Sequence, residues 1–355
     1  VRAYRQEIST GQVAVLILAA SFVLSSIRIG YIGFRLTGRS NWLFSLLGGL
    51  LSLVGLWSAL RLQRRGLTLL DALPWSGWRM VTGLAAGLFS TVLVVYVNRH
   101  AIDLVRVTLL PGTSSLWLSL INMAVAGYAA WIGVERAMRG LQAAGFFAGG
   151  LLLVLSLLPL QMVNAAWLVP WFEGVAPDSW LPGIVEGIYP FSTTAVLPLL
   201  PARGDRKSER LAYLGLAGGL VVVLLHTLMG MAKFGVETLI TLKYPFISLI
   251  DAVRVENFVV ERLLFGYLVL WYLLAMIVLG IILQAGAYGL SRAVGKPQTS
   301  PWAILVMTVV AVLALQFMRS STAIVPVQMG LSAGALLLSV LVLPLAALLS
   351  GRRQS

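Results

Sequence analysis

Residues 211–232 read LAYLGLAGGLVVVLLHTLMGMA, 22 consecutive positions without Lys, Arg, Asp or Glu. About 20 such residues, wound as an α-helix, reach across the hydrocarbon of a bilayer. The run at 12–27, QVAVLILAASFVLSSI, is equally free of charge. Charged side chains make up 11% of the chain and apolar ones 59%. A soluble domain carries about 25% charged residues, so this is a polytopic membrane protein. Only helices and closed barrels satisfy the backbone inside hydrocarbon, and runs of about 20 residues fit helices, so the expected fold class is all-α integral membrane.

Hydropathy places ten transmembrane helices near 13–32, 42–60, 80–98, 113–133, 143–163, 181–201, 211–232, 263–286, 301–318 and 325–349. With the N-terminus inside, the inner connections hold 16 of the 26 Lys and Arg, so both termini are expected to be cytoplasmic. The net charge of +13 has the same origin, because no basic cluster is interleaved with base-stacking aromatics; nucleic-acid binding is not expected. There is no Cys, and His100 and His226 stand far apart. No metal, no cofactor and no covalent chemistry are therefore expected, and the chain does not read as an enzyme. No small-residue cleavage site follows 12–27 before Arg28, so the first run reads as a span rather than a removable leader. Residues 1–355 form a single transmembrane domain on this reading.

Two connections carry detail. Segment 164–182 has no Lys or Arg but holds Trp167, Trp171 and Trp180, whose indoles favour the headgroup boundary. In 244–262, polar Asp251, Arg254, Asn257 and Glu261 alternate at helical spacing with Phe246, Ile250, Val253 and Phe258. That spacing predicts an amphipathic helix lying on the outer face.

The sixth run is different. Residues 187–201 read GIYPFSTTAVLPLLP, with Pro190, Pro198 and Pro201 around Ser192, Thr193 and Thr194. Proline removes a backbone donor and clashes with the preceding turn, at about 3 kcal/mol in a helix interior. Freed carbonyls in a membrane are tolerated where protein buries them or a wet cavity meets them. Discontinuous helices of this kind hold the ligand in many transporters, at the midplane between two repeats of inverted topology. Ten spans divide into two repeats of five, about 10–165 and 178–350, which makes span one the counterpart of span six. Span one offers Ser21, Ser25 and Ser26 but no Gly or Pro to break it. Tyr96 and Asn98 close span three on the same side. The candidate ligand-binding residues are thus Ser21, Ser25, Ser26, Tyr96, Pro190, Phe191, Ser192, Thr193 and Thr194. His226 reads as hydrogen-bonded to a neighbouring helix, Glu186 as sitting in the wet interface and Gln284 as bonding between helices.

Several longer stretches carry a resemblance. They include ISTGQ at 8–12, GRSNWLFSLLGGL at 38–50, TLLPGTSS at 108–115, YAAWIGVERAMRG at 128–140 and YPFISLIDAVRVENFVVERL at 244–263. In order and spacing these resemble the B subunit family of spore germination receptors (GerAB-like endospore germination permeases). That family lies within the amino acid–polyamine–organocation transporter superfamily. The resemblance implies a LeuT-like five-plus-five inverted repeat with a discontinuous sixth helix. It also implies a place in the spore inner membrane beside an A subunit and a lipoprotein C subunit. The implied role is sensing a small nutrient, often an amino acid. This sequence departs from relatives at Val23-Leu24-Ser25, where they have a glycine-containing bend. It departs again at 191–195, where they have Gly and Glu, and near Ile277, Val278 and Ile282, where they tend to have Thr or Tyr. Span five has no Lys, Asp or Glu, which favours a sensor over a proton-coupled carrier; a secondary transporter of amino acids or amines is the alternative.

Overall fold

The structure, a computed structural model, describes residues 8–28, 30–73, 76–203, 206–253, 263–318 and 321–350. Among them the regular structure is helical apart from one parallel pairing of two-residue strands, β1 (Ile8–Ser9) and β2 (Ala202–Arg203). Ser9 Oγ accepts the Gln12 N–H at 3.3 Å, and Gln12 Oε1 accepts the Ser9 N–H at 2.9 Å. This capping box starts α1 (Thr10–Ser26) three residues before hydropathy placed it.

The remaining principal helices are α2 (Asn41–Arg64), α3 (Ser76–Thr108), α4 (Ser115–Trp131), α5 (Val134–Ala144) and α6 (Trp180–Ile188). They are followed by α7 (Arg206–Leu239), α8 (Leu263–Ala293), α9 (Pro301–Phe317) and α10 (Ser321–Leu337). α5 runs through a π turn at Gly145–Gly149 into Gly150–Leu157. α10 does the same through Leu338–Val342 into Leu343–Leu349. Among the described residues, six helical stretches are long and apolar enough to cross a membrane: Ile32–Arg64, Ser76–Thr108, Val134–Met162, Glu209–Leu239, Leu263–Ala293 and Ile324–Leu349. α1, α4 and α9 are apolar too, at 17 residues each.

Small residues set how these helices meet. Lipid tails are as apolar as Leu, so helices in a bilayer gain from close approach rather than from leaving water. A Cβ on Gly83 of α3 would lie 2.6 Å from the Gly289 carbonyl oxygen of α8. One on Gly219 of α7 would lie 2.8 Å from Ser21 Oγ of α1. The tightest crossing joins α2 to α6, where Gly48 faces Gly187; a Cβ on Gly187 would overlap the Phe44 carbonyl. Trp271 and Tyr267 of α8 are fully buried in the core formed this way. Outward, Leu88, Trp117, Tyr128, Phe146, Phe147 and Leu181 are large, apolar and exposed, a surface suited to lipid.

The connections collect at two ends. One end brings together β1, β2, the 62–72 turn, the α4–α5 turn and the α8–α9 connection, tied by Arg65–Ser350, Thr68–Tyr288 and Asp71–Arg292 contacts. The other joins 28–42 to 164–186 and 243–246 to α3, through Trp42–Trp171 and His100–Tyr244 hydrogen bonds among others. The amphipathic helix expected over 244–262 corresponds to a short helix, Pro245–Asp251, whose Phe246, Ile247, Leu249 and Ile250 are buried. It is packed into the bundle rather than resting on it; residues 254–262 of that expectation lie outside the described residues.

At the α2–α6 crossing, Gly187→Ala should lower stability by about 2 kcal/mol or more, because backbone meets the new methyl. Thermal unfolding in detergent micelles would register the loss. Gly140→Ala, whose Cβ meets nothing within 4 Å, should leave the midpoint unchanged or slightly raised.

Candidate functional site

α6 stops at Ile188 because the chain cannot continue it. Pro190 has no N–H to give, and the backbone tightens into a 3₁₀ helix over Tyr189–Ala195, then a second over Leu197–Leu199 with Pro198. Runs of 3₁₀ beyond three or four residues are uncommon, and this one has seven. Ser192 Oγ donates to the Tyr189 carbonyl at 2.8 Å and Thr194 Oγ1 to the Phe191 carbonyl at 2.7 Å. Those two hydroxyls therefore serve their own turn. Thr193 Oγ1 is buried with no hydrogen-bond partner among the described residues.

α1 breaks as well, which corrects the expectation of an unbroken first span. Its last helical residue is Ser26, Ile27 leaves helical geometry, and a new helix runs from Gly30 to Thr37. Ser25 Oγ and Ser26 Oγ both donate to the Phe22 carbonyl, at 3.1 and 2.8 Å, back-bonding of the kind that loosens a helix. Gly30, which the sequence reading passed over, opens the second helix. α1 packs directly against the Tyr189–Ala195 stretch, so the two interrupted helices are neighbours.

A buried ion pair joins the breaks. Arg28, just past α1, makes a two-pronged contact with Glu186 in the last turn of α6: Nε to Oε1 at 2.5 Å and Nη2 to Oε2. Glu186 is 0% exposed and Arg28 7%. The remaining guanidinium donors reach Ser45 Oγ at 2.7 Å and Asn41 Oδ1 at 3.2 Å, both on α2. Gln328 Nε2 of α10 donates to Glu186 Oε1 at 3.4 Å, and Tyr96 OH of α3 donates to Gln328 Oε1 at 2.5 Å. One network thus ties α1, α2, α3, α6 and α10. Glu186 does not sit in a wet interface, as expected from its place near the end of a span. A carboxylate is retained there because a guanidinium neutralises it and fills its lone pairs. Arg28 escaped the sequence reading. The available signal was a single Arg inside the first apolar run and a single Glu inside the sixth.

The other candidates fall into four groups. Tyr96 is fully buried, its ring edge-on to Tyr189 at 5.5 Å and to His100 at 4.3 Å. Ser25 Oγ pairs with His226 Nδ1 at 2.9 Å, and Ser26 Oγ with Tyr267 OH at 3.0 Å. The His226 ring stacks on Phe246 at 3.4 Å. Ser21 Oγ, against α7, is buried without a partner among the described residues. Asn98 belongs to a separate cluster, accepting from Asn122 Nδ2 at 2.7 Å and donating to Ser119 Oγ at 3.3 Å.

Two cavities bear on this arrangement. The smaller, about 30 Å³, is lined by Ser25, Arg28, Asn41 and His226 among others, room for about one water. The larger, about 540 Å³, lies at the opposite end of the bundle and includes Gln284, Tyr288 and Arg292. Neither is lined by Ser192, Thr193 or Thr194. Gln284 was expected to bond between helices; its Oε1 has no partner among the described residues.

The sequence profile of a family described as spore germination protein matches residues 7–323. No curated protein matches the chain. Among solved structures, a nucleobase-cation-symport-1 family transporter, in a closed conformation with bromovinylhydantoin bound, superposes with a TM-score of 0.62. The match covers 90% of this chain and 75% of that one at 12% identity, a likeness of fold.

Glu186→Gln keeps the shape of the side chain but leaves the Arg28 charge buried and uncompensated. Its expected penalty is about 3–5 kcal/mol, read as a lower unfolding midpoint in micelles. Adding Arg28→Met and changing Glu186 to Leu instead should recover most of that loss, since an apolar pair of similar volume has no charge to desolvate.

Proposed function

This chain belongs to the spore germination protein family, and from that premise we propose that it is the nutrient-sensing membrane subunit of a germinant receptor. It would cross the spore inner membrane ten times, in two five-helix halves of inverted topology, with both termini cytoplasmic. The A subunit and a lipoprotein C subunit would be its partners. Two pairings support the halves. α1 and α6 are both interrupted, and α5 and α10 both contain a π turn, each pair standing five helices apart. The transporter-like fold agrees with the superfamily that the sequence resembles.

The observation that carries the proposal is the meeting of α1 and α6 at their breaks. A protein with no guest there would gain by filling the junction with apolar side chains. Instead it holds a buried ion pair and a Thr193 hydroxyl without a partner among the described residues. A small polar molecule would take its hydrogen bonds from Ser21, Thr193 and the 3₁₀ backbone, with Ser25, Ser26, Tyr96, Pro190 and Phe191 forming the walls. The Arg28–Glu186 pair would close the outer entrance in the conformation described here. A nutrient arriving from outside would then act by preferring the state in which that pair has parted, and the receptor would answer to the shift in population.

Purified protein should bind a labelled nutrient saturably, found by thermal-shift screening of amino acids, sugars and nucleosides, without accumulating it in liposomes. Ser192, Thr193 and Thr194 all changed to Ala should weaken binding at least about tenfold, the loss of one hydrogen bond to a buried guest. A triple variant that responds like the wild type would remove the junction as the site. Accumulation against a gradient would select a secondary transporter of amino acids or amines instead, a role the likeness to a symporter fold favours.

A further inference from the structure

The two members of the buried ion pair touch each other but are braced by different helices. Arg28 leans on α2, where Nη1 donates to Ser45 Oγ at 2.7 Å and Nη2 to Asn41 Oδ1 at 3.2 Å. Glu186 leans on α10, where Gln328 Nε2 donates to its Oε1 at 3.4 Å. Gln328 is itself fully buried and accepts the Tyr96 hydroxyl from α3. If the pair parts, each ion keeps the support of its own neighbours, and the contact between the two is what must be replaced.

Charge narrows what can replace it. Glu186 is 0% exposed and Arg28 7%, and leaving either ion uncompensated at that depth is strongly destabilising. An uncharged polyol brings hydrogen bonds but no counter-charge, so both ions would be bared. A lone anion meets Arg28 and is repelled by Glu186; a lone cation does the reverse. A molecule carrying both a carboxylate and an ammonium satisfies the two ions together, exchanging one charge-assisted contact for two. Its charges must also lie close together. Guanidinium and carboxylate are in direct contact, so every added ångström between the guest's charges requires a wider opening. The adjoining space is small as well: the cavity bounded by Ser25, Arg28, Asn41 and His226 holds about 30 Å³.

We infer that Arg28 and Glu186 are ligand-contacting residues, and that the guest is a compact zwitterion. Its carboxylate takes the Arg28 guanidinium and its ammonium takes the Glu186 carboxylate. This assignment rests on the reading of the α1–α6 junction as the nutrient site, and it gives the closed pair a meaning. Without a guest, each residue stands in for the group that the guest would offer the other. Entry of the zwitterion then separates the pair at no net loss of compensated charge, which is the differential preference that a shift in population requires.

The test uses full-length protein in micelles and a panel of neutral amino acids. Each is compared with the carboxylic acid lacking its amine and the amine lacking its carboxylate; glucose and adenosine serve as uncharged probes. Thermal shift finds the binders and equilibrium binding measures them. An amino acid should bind, and its two analogues should each bind at least about tenfold more weakly, one charge-assisted hydrogen bond having been lost. In the Arg28→Met/Glu186→Leu double variant the amino acid should weaken at least about a hundredfold, for two such bonds. The comparison of analogues needs no variant, so it stands whether or not the double variant folds. Either analogue binding as tightly as the amino acid, or an amino acid held equally well by the folded double variant, would overturn the assignment. Glucose or adenosine binding where no amino acid does would overturn the zwitterion and leave the junction as a nutrient site. Binding by none of these probes would overturn both.

Discussion

A charge inside a low-dielectric interior is stable only beside its opposite, and Arg28 with Glu186 is where this molecule accepts that constraint. The pair cannot be satisfied unless α1 ends near residue 27, α6 ends near residue 188 and α2 presents Asn41 and Ser45 toward them. Gly48 and Gly187 supply the last requirement, since a side chain at either would hold α2 and α6 apart. Gly33 belongs to the same arrangement: a Cβ there would come within 2.8 Å of Glu186 Oε2. Ion pair, helix breaks and glycine crossing are consequently one feature. Disturbing any of them moves the others.

What the sequence made legible was governed by local physics. Uncharged runs long enough for a bilayer announced the helices, and prolines 190 and 198 announced the break in α6. The ISTGQ segment contained the capping box that starts α1. The break in α1 was hidden because no proline marks it; Gly30, at the start of the helix that follows, was the available signal. Hydropathy also masked the ion pair. Averaging over a window dilutes one Arg and one Glu at the margins of two spans, and their partnership appears only when the spans are set side by side. The larger cavity was beyond reach for a related reason: three stretches distant in sequence, 130–134, 200–201 and 284–304, must converge to line it.

The two polar regions differ in kind. Around the ion pair nearly every donor and acceptor is matched, so that end of the bundle resists opening unless something replaces what is lost. Near Gln284 and Thr193 the matching is incomplete among the described residues.

The seven residues of tight winding in α6 have a mechanical consequence. Each rises about 2.0 Å as 3₁₀ but about 1.5 Å as α, so rewinding Tyr189–Ala195 would shorten the segment by about 3.5 Å. The same change, from 3.0 to 3.6 residues per turn, would rotate one end against the other by roughly 140°. A few hydrogen bonds exchanged at mid-membrane would thus become a stroke and a twist delivered to everything that follows Val196.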